Sequence, residues 1–122
     1  KVFSQYYPAS TVASDIEAYV ADGTDILFKA VVLSSAGGAA AVVGDLAITD
    51  IGANVAMITP ATVGNTTTGN STIGISDTSA TTNSLPLRIV SLVEETKNTS
   101  GGFTEALVKW NAGHQFNNTT GV

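Results

Sequence analysis

From Phe103 to Asn111 the sequence reads F-T-E-A-L-V-K-W-N, and its residues fall into two alternating sets. Thr104, Ala106, Val108 and Trp110 make one set; Phe103, Glu105, Leu107 and Lys109 make the other. Successive side chains in a strand point to opposite faces, so a period of two specifies a β-strand. Upstream, Leu85, Leu87, Ile89 and Val93 share one face, with Ser91 interrupting, and Arg88, Val90 and Leu92 share the other. The charged, Gly-containing connection Glu94 to Gly102 joins the two runs, and an antiparallel hairpin is the simplest reading. Both runs carry apolar side chains on each face, which predicts partial burial of the second face, within the domain or against a neighbour. Phe103, Trp110, Leu87 and Ile89 are the expected core.

The rest of the chain alternates short apolar runs with turn signals, the pattern of an all-β domain. Val2 to Tyr7 reads as an extended arm that Pro8 ends, because a proline disfavours helix in the residue before it. Ser10 to Ala21 is open between two readings. Val12, Ile16, Tyr19 and Val20 fall at helical spacing, yet Ile16 to Val20 also alternates as a strand would. Asp22–Gly23 signals a turn, and Ile26 to Leu33 follows as a strand. Ala39 to Val43 and Leu46 to Ile51 read as short strands around Gly44–Asp45. Asn54 to Thr59 is another, closed by Pro60. Ala61 to Ser84 is mostly Thr, Ser and Asn, with Val63, Ile73 and Ile75 its only sizeable apolar side chains. It reads as a long surface loop holding a short strand, Thr72 to Ser76; the functional reading of the same stretch is an exposed tip that meets a partner. The expected architecture is a mainly antiparallel β-sandwich or barrel-like domain with long polar loops and at most one short helix. Residues 1–10 would form an arm and 11–122 a single domain.

Composition narrows the function classes. The chain of 122 residues holds 5 Lys and Arg against 10 Asp and Glu, a formal net charge of −5, and no cysteine. Disulfides, thiolate metal sites and cysteine nucleophiles are thereby excluded. Neutralising phosphates takes clustered Lys and Arg, so no nucleic-acid partner is expected. The nearly uncharged stretch Ala30 to Gly44 is broken by Ser34, Ser35 and Gly37–Gly38, so no membrane span is expected. No basic region precedes an apolar run at the front, so no secretory leader is expected. The N-x-S/T triplets at Asn65, Asn70, Asn98, Asn117 and Asn118 are what chance gives in a chain with 17 Thr and 8 Asn. Of the 43% apolar residues, 16 are Ala and 8 are aromatic, so most of the apolar count is small side chains that each bury little area, and a single, modest core is expected.

Reactive chemistry finds little to work with. The single histidine, His114, has no carboxylate within eight residues to orient it or to share a metal. Adjacent Glu94 and Glu95 would point to opposite faces of a strand, a poor start for an acid–base pair. Asp15 with Glu17, and Asp22 with Asp25, have a spacing usable in a calcium loop but lack the twelve-residue ligand pattern. The glycines from Gly64 to Gly74 lack the lysine and the strand–loop–helix setting of a phosphate cradle. The expectation is a protein with no enzymatic activity, no cofactor and no metal.

One stretch is more specific than composition. The segment L-P-L-R-I-V-S-L-V-E-E-T-K-N-T-S-G-G-F-T-E-A-L-V-K-W-N-A-G-H-Q-F, Leu85 to Phe116, with the closing T-T-G-V, resembles the C-terminal half of head decoration (cement) proteins of tailed bacteriophages. The matching positions are Arg88, Glu94, Asn98, Gly101, Phe103, Glu105, Val108, Lys109, Asn111, His114, Gln115 and Gly121. The opening Q-Y-Y-P-A-S, Gln5 to Ser10, is similar to an early aromatic strand of the same proteins. About a third of the chain carries the resemblance strongly, and the usual longer lead into the first strand is missing. The resemblance implies a β-rich subunit on the outer surface of the virion head, bound to the major capsid protein and to copies of itself, often as a trimer. Interface residues on this view are Phe3, Tyr6, Tyr7, Arg88, His114, Gln115 and Phe116. The competing reading is a carbohydrate- or receptor-binding module of a head fibre or tail, for which Tyr6, Tyr7, Tyr19 and Trp110 are the candidate aromatics.

Overall fold

Five runs of sequence pair edge to edge until the last meets the first. In the computed structural model, which describes residues 25–34, 42–61, 64–65, 67–96 and 103–111 together with Glu17, Tyr19, Ala21 and Gly23, the strands are β1 (Phe28–Leu33), β2 (Asn54–Ile58), β3 (Gly74–Ala80), β4 (Leu87–Leu92) and β5 (Glu105–Trp110). They close into a barrel in the circular order β1-β3-β2-β4-β5. Four of the pairings are antiparallel, and β1 with β3 is parallel. The protein is all-β; the helical element among the described residues is a single 3-10 turn, Ile48–Asp50.

Leu, Ile and Val dominate the interior, and among the described alanines Ala106 alone is buried. Barrel diameter grows with strand number, so five strands enclose a narrow space. It is filled by Val32, Leu46, Val55, Ile75, Leu87, Ile89, Leu92, Ala106 and Val108, with Phe28, Ala30 and Trp110 packed against them. Where β1 and β5 cross, Ala30 stands directly opposite Ala106. Two glycines permit closer approach still. A Cβ on Gly74 would lie 2.6 Å from the Val31 carbonyl oxygen, and one on Gly44 would lie 2.5 Å from the Leu33 carbonyl carbon. Both distances are below any real contact, so β1 is clasped between two backbones that carry no side chain at the point of contact.

The β4–β5 hairpin forms as its alternation predicts, with one change of phase. Ile89 pairs with Val108, but Ser91 pairs with Leu107, so β4 carries one residue more than β5 across that step. This β-bulge turns Leu92 into the core opposite Ala106, where strict alternation had placed it on the outer face. Leu87 and Ile89 are buried as expected. Trp110 is half-buried, its ring edge-on to Phe28 at 5.8 Å. Phe103 is not a core residue: it lies before β5 and is 39% exposed.

Three further expectations are corrected. Leu46 to Ile51 is not a strand. The Asp50 carboxylate accepts the Ala47 N–H at 2.7 Å, and the Asp50 N–H reaches the Ala47 carbonyl at 2.9 Å, which winds the segment into the 3-10 turn. Of Ala39 to Val43, Val43 makes an isolated antiparallel bridge with Leu33, and residues 39–41 lie outside the described set. The stretch from 61 to 84 is no plain loop, because β3 spans Gly74–Ala80 and runs between β1 and β2 in place of a short strand at Thr72 to Ser76. Its polar lead-in is ordered by its own side chains: Asn65 Oδ1 accepts from the Thr67 and Thr68 N–H groups at 2.8 and 3.2 Å, and Gly69 takes φ +71°. The arm at Val2 to Tyr7 lies outside the described residues, as does the open question over residues 10–21 apart from Glu17, Tyr19 and Ala21.

Candidate contact surface

Side chains that alternate with the core set turn to the outer face of the barrel, with the phase change at the β4 bulge allowed for. On β1, β5 and β4, three neighbours in the barrel, the outer face carries Lys29 and Val31, then Glu105, Leu107 and Lys109, then Arg88 and Val90. Register fixes their neighbours. Lys29 stands opposite Leu107, and Arg88 stands opposite Lys109. Lys29 Nζ bridges diagonally to the Glu105 carboxylate at 3.1 Å, an exposed pair of the kind worth little to stability. Arg88 Nε donates a long hydrogen bond, 3.4 Å, to Asn54 Oδ1, while Asn54 Nδ2 donates to the Thr82 carbonyl at 3.0 Å. Among the described residues Lys109 makes no ion pair.

The result is an uneven distribution of charge. Three of the five basic side chains of an acidic chain share one outer face, and among the described residues of these strands the one carboxylate on it is that of Glu105. Cross-strand partners hold their Cβ atoms about 5 Å apart, and like charges set directly opposite one another are destabilising. The Arg88–Lys109 pair is such an arrangement. Between the cations runs an apolar strip, with Val31 and Leu107 half-buried and Val90 exposed. The second face is therefore partly covered within the domain at Leu107 and open around Arg88, Val90 and Lys109.

Of the interface residues expected from sequence, Arg88 is on this face. Phe3, Tyr6, Tyr7, His114, Gln115 and Phe116 lie outside the described residues. Sequence reasoning missed Lys29 and Lys109 as companions of Arg88, and Asn54 as its hydrogen-bond partner. The alternation of β5 already placed Lys109 away from Trp110. What it lacked was the register that sets Lys109 against Arg88, which belongs to the pair of strands and to neither alone.

Reactive groups do not converge among the described residues. No group of three or more His, Asp or Glu side chains there could hold a metal ion. Every buried side-chain nitrogen and oxygen there has a hydrogen-bond partner, so no orphaned polar atom points to a bound group. Asp45 and Asp50, the two carboxylates around the 3-10 turn, serve the fold: Asp45 Oδ1 accepts from Thr104 Oγ1 at 2.8 Å, and Asp50 Oδ1 accepts from Ser79 Oγ at 2.6 Å. No helix among the described residues is long and apolar enough to cross a membrane. What this surface can do is make contacts, through an apolar strip and the cations around it. No known protein family, curated protein or solved structure matches the chain.

Proposed function

We propose that this chain is a head decoration protein of a tailed bacteriophage: a structural subunit of the virion that binds the outer capsid surface and stabilises it by bridging neighbouring major capsid subunits. Its partners are the major capsid protein and further copies of itself, and it carries out no bond chemistry. The observation that carries this reading is the motif from Leu85 to Phe116, whose two strand-like halves are β4 and β5. Arg88 and Lys109, two of the residues in the resemblance, stand opposite one another on the open face of that hairpin.

The physics of such a role is adhesion. A contact of about 1,000 Å² is modest alone. Repeated across a lattice, with each subunit touching more than one neighbour, attachment gains orders of magnitude in effective affinity. A predominantly acidic subunit has no pull on DNA packaged inside the head. Against the carbohydrate-binding alternative stands the Trp110 ring, which is half-buried and engaged with Phe28.

Mixing the purified chain with undecorated heads tests the proposal. Saturable binding, in fixed proportion to capsid subunits, is the expected result. Binding to a glycan array with no attachment to heads would replace it with the carbohydrate-binding reading.

A further inference from the structure

Strand register sets Arg88 across from Lys109, an arrangement of like charges that a free domain does not favour, while Arg88 is held on its other side by Asn54. Two cations stand directly opposite each other on adjacent strands, with Lys29 on the next strand, in a chain whose ten carboxylates could have neutralised them. Among the described residues of these strands the one carboxylate on this face, Glu105, bridges to Lys29. Leu107 and Val90 lie beside the cations, so an apolar strip with a charged rim is already in place, the usual plan of a protein contact surface. We propose that the outer face of β1, β5 and β4 is the docking surface for a carboxylate-rich segment of the major capsid subunit, with Arg88 and Lys109 clamping one acidic group between them and Lys29 guiding a second. The identity of that partner rests on the function proposed above; the acidic chemistry of the occupant rests on the charge of the face.

Charge complementarity selects a protein segment over a nucleic acid. A duplex tracking this face would carry its phosphates beyond three cations into a molecule of net charge −5. A folded acidic segment ends where the patch ends. Its carboxylates also suit the planar, two-pronged guanidinium of Arg88, and the compact ammonium of Lys109 adds charge without demanding a fixed geometry.

The test compares wild type with Arg88→Gln/Lys109→Gln and with Thr59→Glu/Ala61→Glu, a control of equal charge change at exposed positions off this face. On undecorated heads the glutamine pair should lose affinity by about tenfold or more and flatten its dependence on salt, since charges of this kind govern steering and screening. The control should stay within about twofold of wild type. Because Arg88→Gln also gives up the hydrogen bond to Asn54 Oδ1, stability is read from Lys109→Gln alone, which should melt no lower than wild type since a repulsion has been removed; a lower melting temperature would make that cation structural and overturn the inference. If wild type binds heads and the glutamine pair binds equally well, the inference fails and the decoration reading stands. If wild type ignores heads, the decoration reading fails, and octaglutamate decides the face by itself. Amide shifts at Lys29, Arg88 and Lys109 on titration, absent from the glutamine pair, would uphold acidic recognition. No shifts there, or tighter binding of an eight-nucleotide single strand of matching charge, would overturn it.

Discussion

The β4–β5 hairpin and the stretch leading into β3 are both strand in the folded protein, yet they come from opposite kinds of sequence. In the hairpin, apolar side chains recur at every second position, and the core takes Leu87, Ile89, Ala106 and Val108 accordingly. In β3, G-I-S-D-T-S-A offers one large apolar residue, Ile75, among small and polar ones. The hairpin is strand because its own pattern demands a buried face. β3 is strand because β1 and β2 each present a backbone edge, and buried N–H and C=O groups must find partners. Backbone hydrogen bonding does not read side chains. A polar run of low volume can therefore fill a slot that a bulkier run could not enter: a Cβ at Gly74 would come within 2.6 Å of the Val31 carbonyl oxygen.

The comparison can be broken most decisively with alanine at the two matched core positions. Ile75 of β3 and Ile89 of β4 are both fully buried. Each change to Ala should cost about 3 kcal/mol by urea denaturation, within the range for buried Ile. A loss at Ile75 well below that at Ile89 would return β3 to the status of a loop. Next comes Gly74→Ala. Its added methyl meets the Val31 carbonyl, which cannot move without opening the parallel β1–β3 pair, so a loss of about 2 kcal/mol is expected from the same measurement. Unchanged stability would mean that the strands part easily there.

Deleting Val90 probes the hairpin from the other side. Removing one residue from a regular strand throws every later side chain to the opposite face. At the bulge the deletion instead restores one-to-one pairing, with Ser91 still opposite Leu107 and Leu92 still opposite Ala106. The expected loss is about 1 kcal/mol, near the centre of the distribution for single changes, with far-ultraviolet circular dichroism unaltered. Collapse of the fold would show that the bulge itself holds the barrel's curvature. Smallest of all is Lys29→Gln. It removes an ion pair whose lysine side chain is 59% exposed, and less than about 0.5 kcal/mol should follow in thermal unfolding.

How far the sequence could be read follows from these cases. Runs with their own apolar repeat, at Phe28–Leu33, Asn54–Ile58, Leu87–Leu92 and Glu105–Trp110, were visible as strands. The segment at Leu46 to Ile51 misled because its apolar residues mimic a strand, whereas the carboxylate of Asp50 holds the backbone in a turn and leaves Ile48 and Ile51 exposed. Leu92 misled because a bulge has no mark in a sequence pattern; Ser91 interrupting the run was its trace. The candidate surface was half visible. Arg88 stood out through the resemblance, but its companions Lys29 and Lys109 lie 59 residues before and 21 after it, and strand pairing brings them together.

By itself the amino-acid order settled that this protein is β-rich, that four of its runs are strands, and that Leu87 and Ile89 turn inward. Those are properties of one strand and its solvent, decided by the partition of alternate side chains between water and an apolar interior. Closure of the barrel, the parallel seam between β1 and β3, the phase change at Val90 and the gathering of cations on one outer face came only with tertiary structure. Each of these depends on register between strands distant in the chain. Register is set by the joint fit of backbone hydrogen bonds and core volume, and no single segment contains that information.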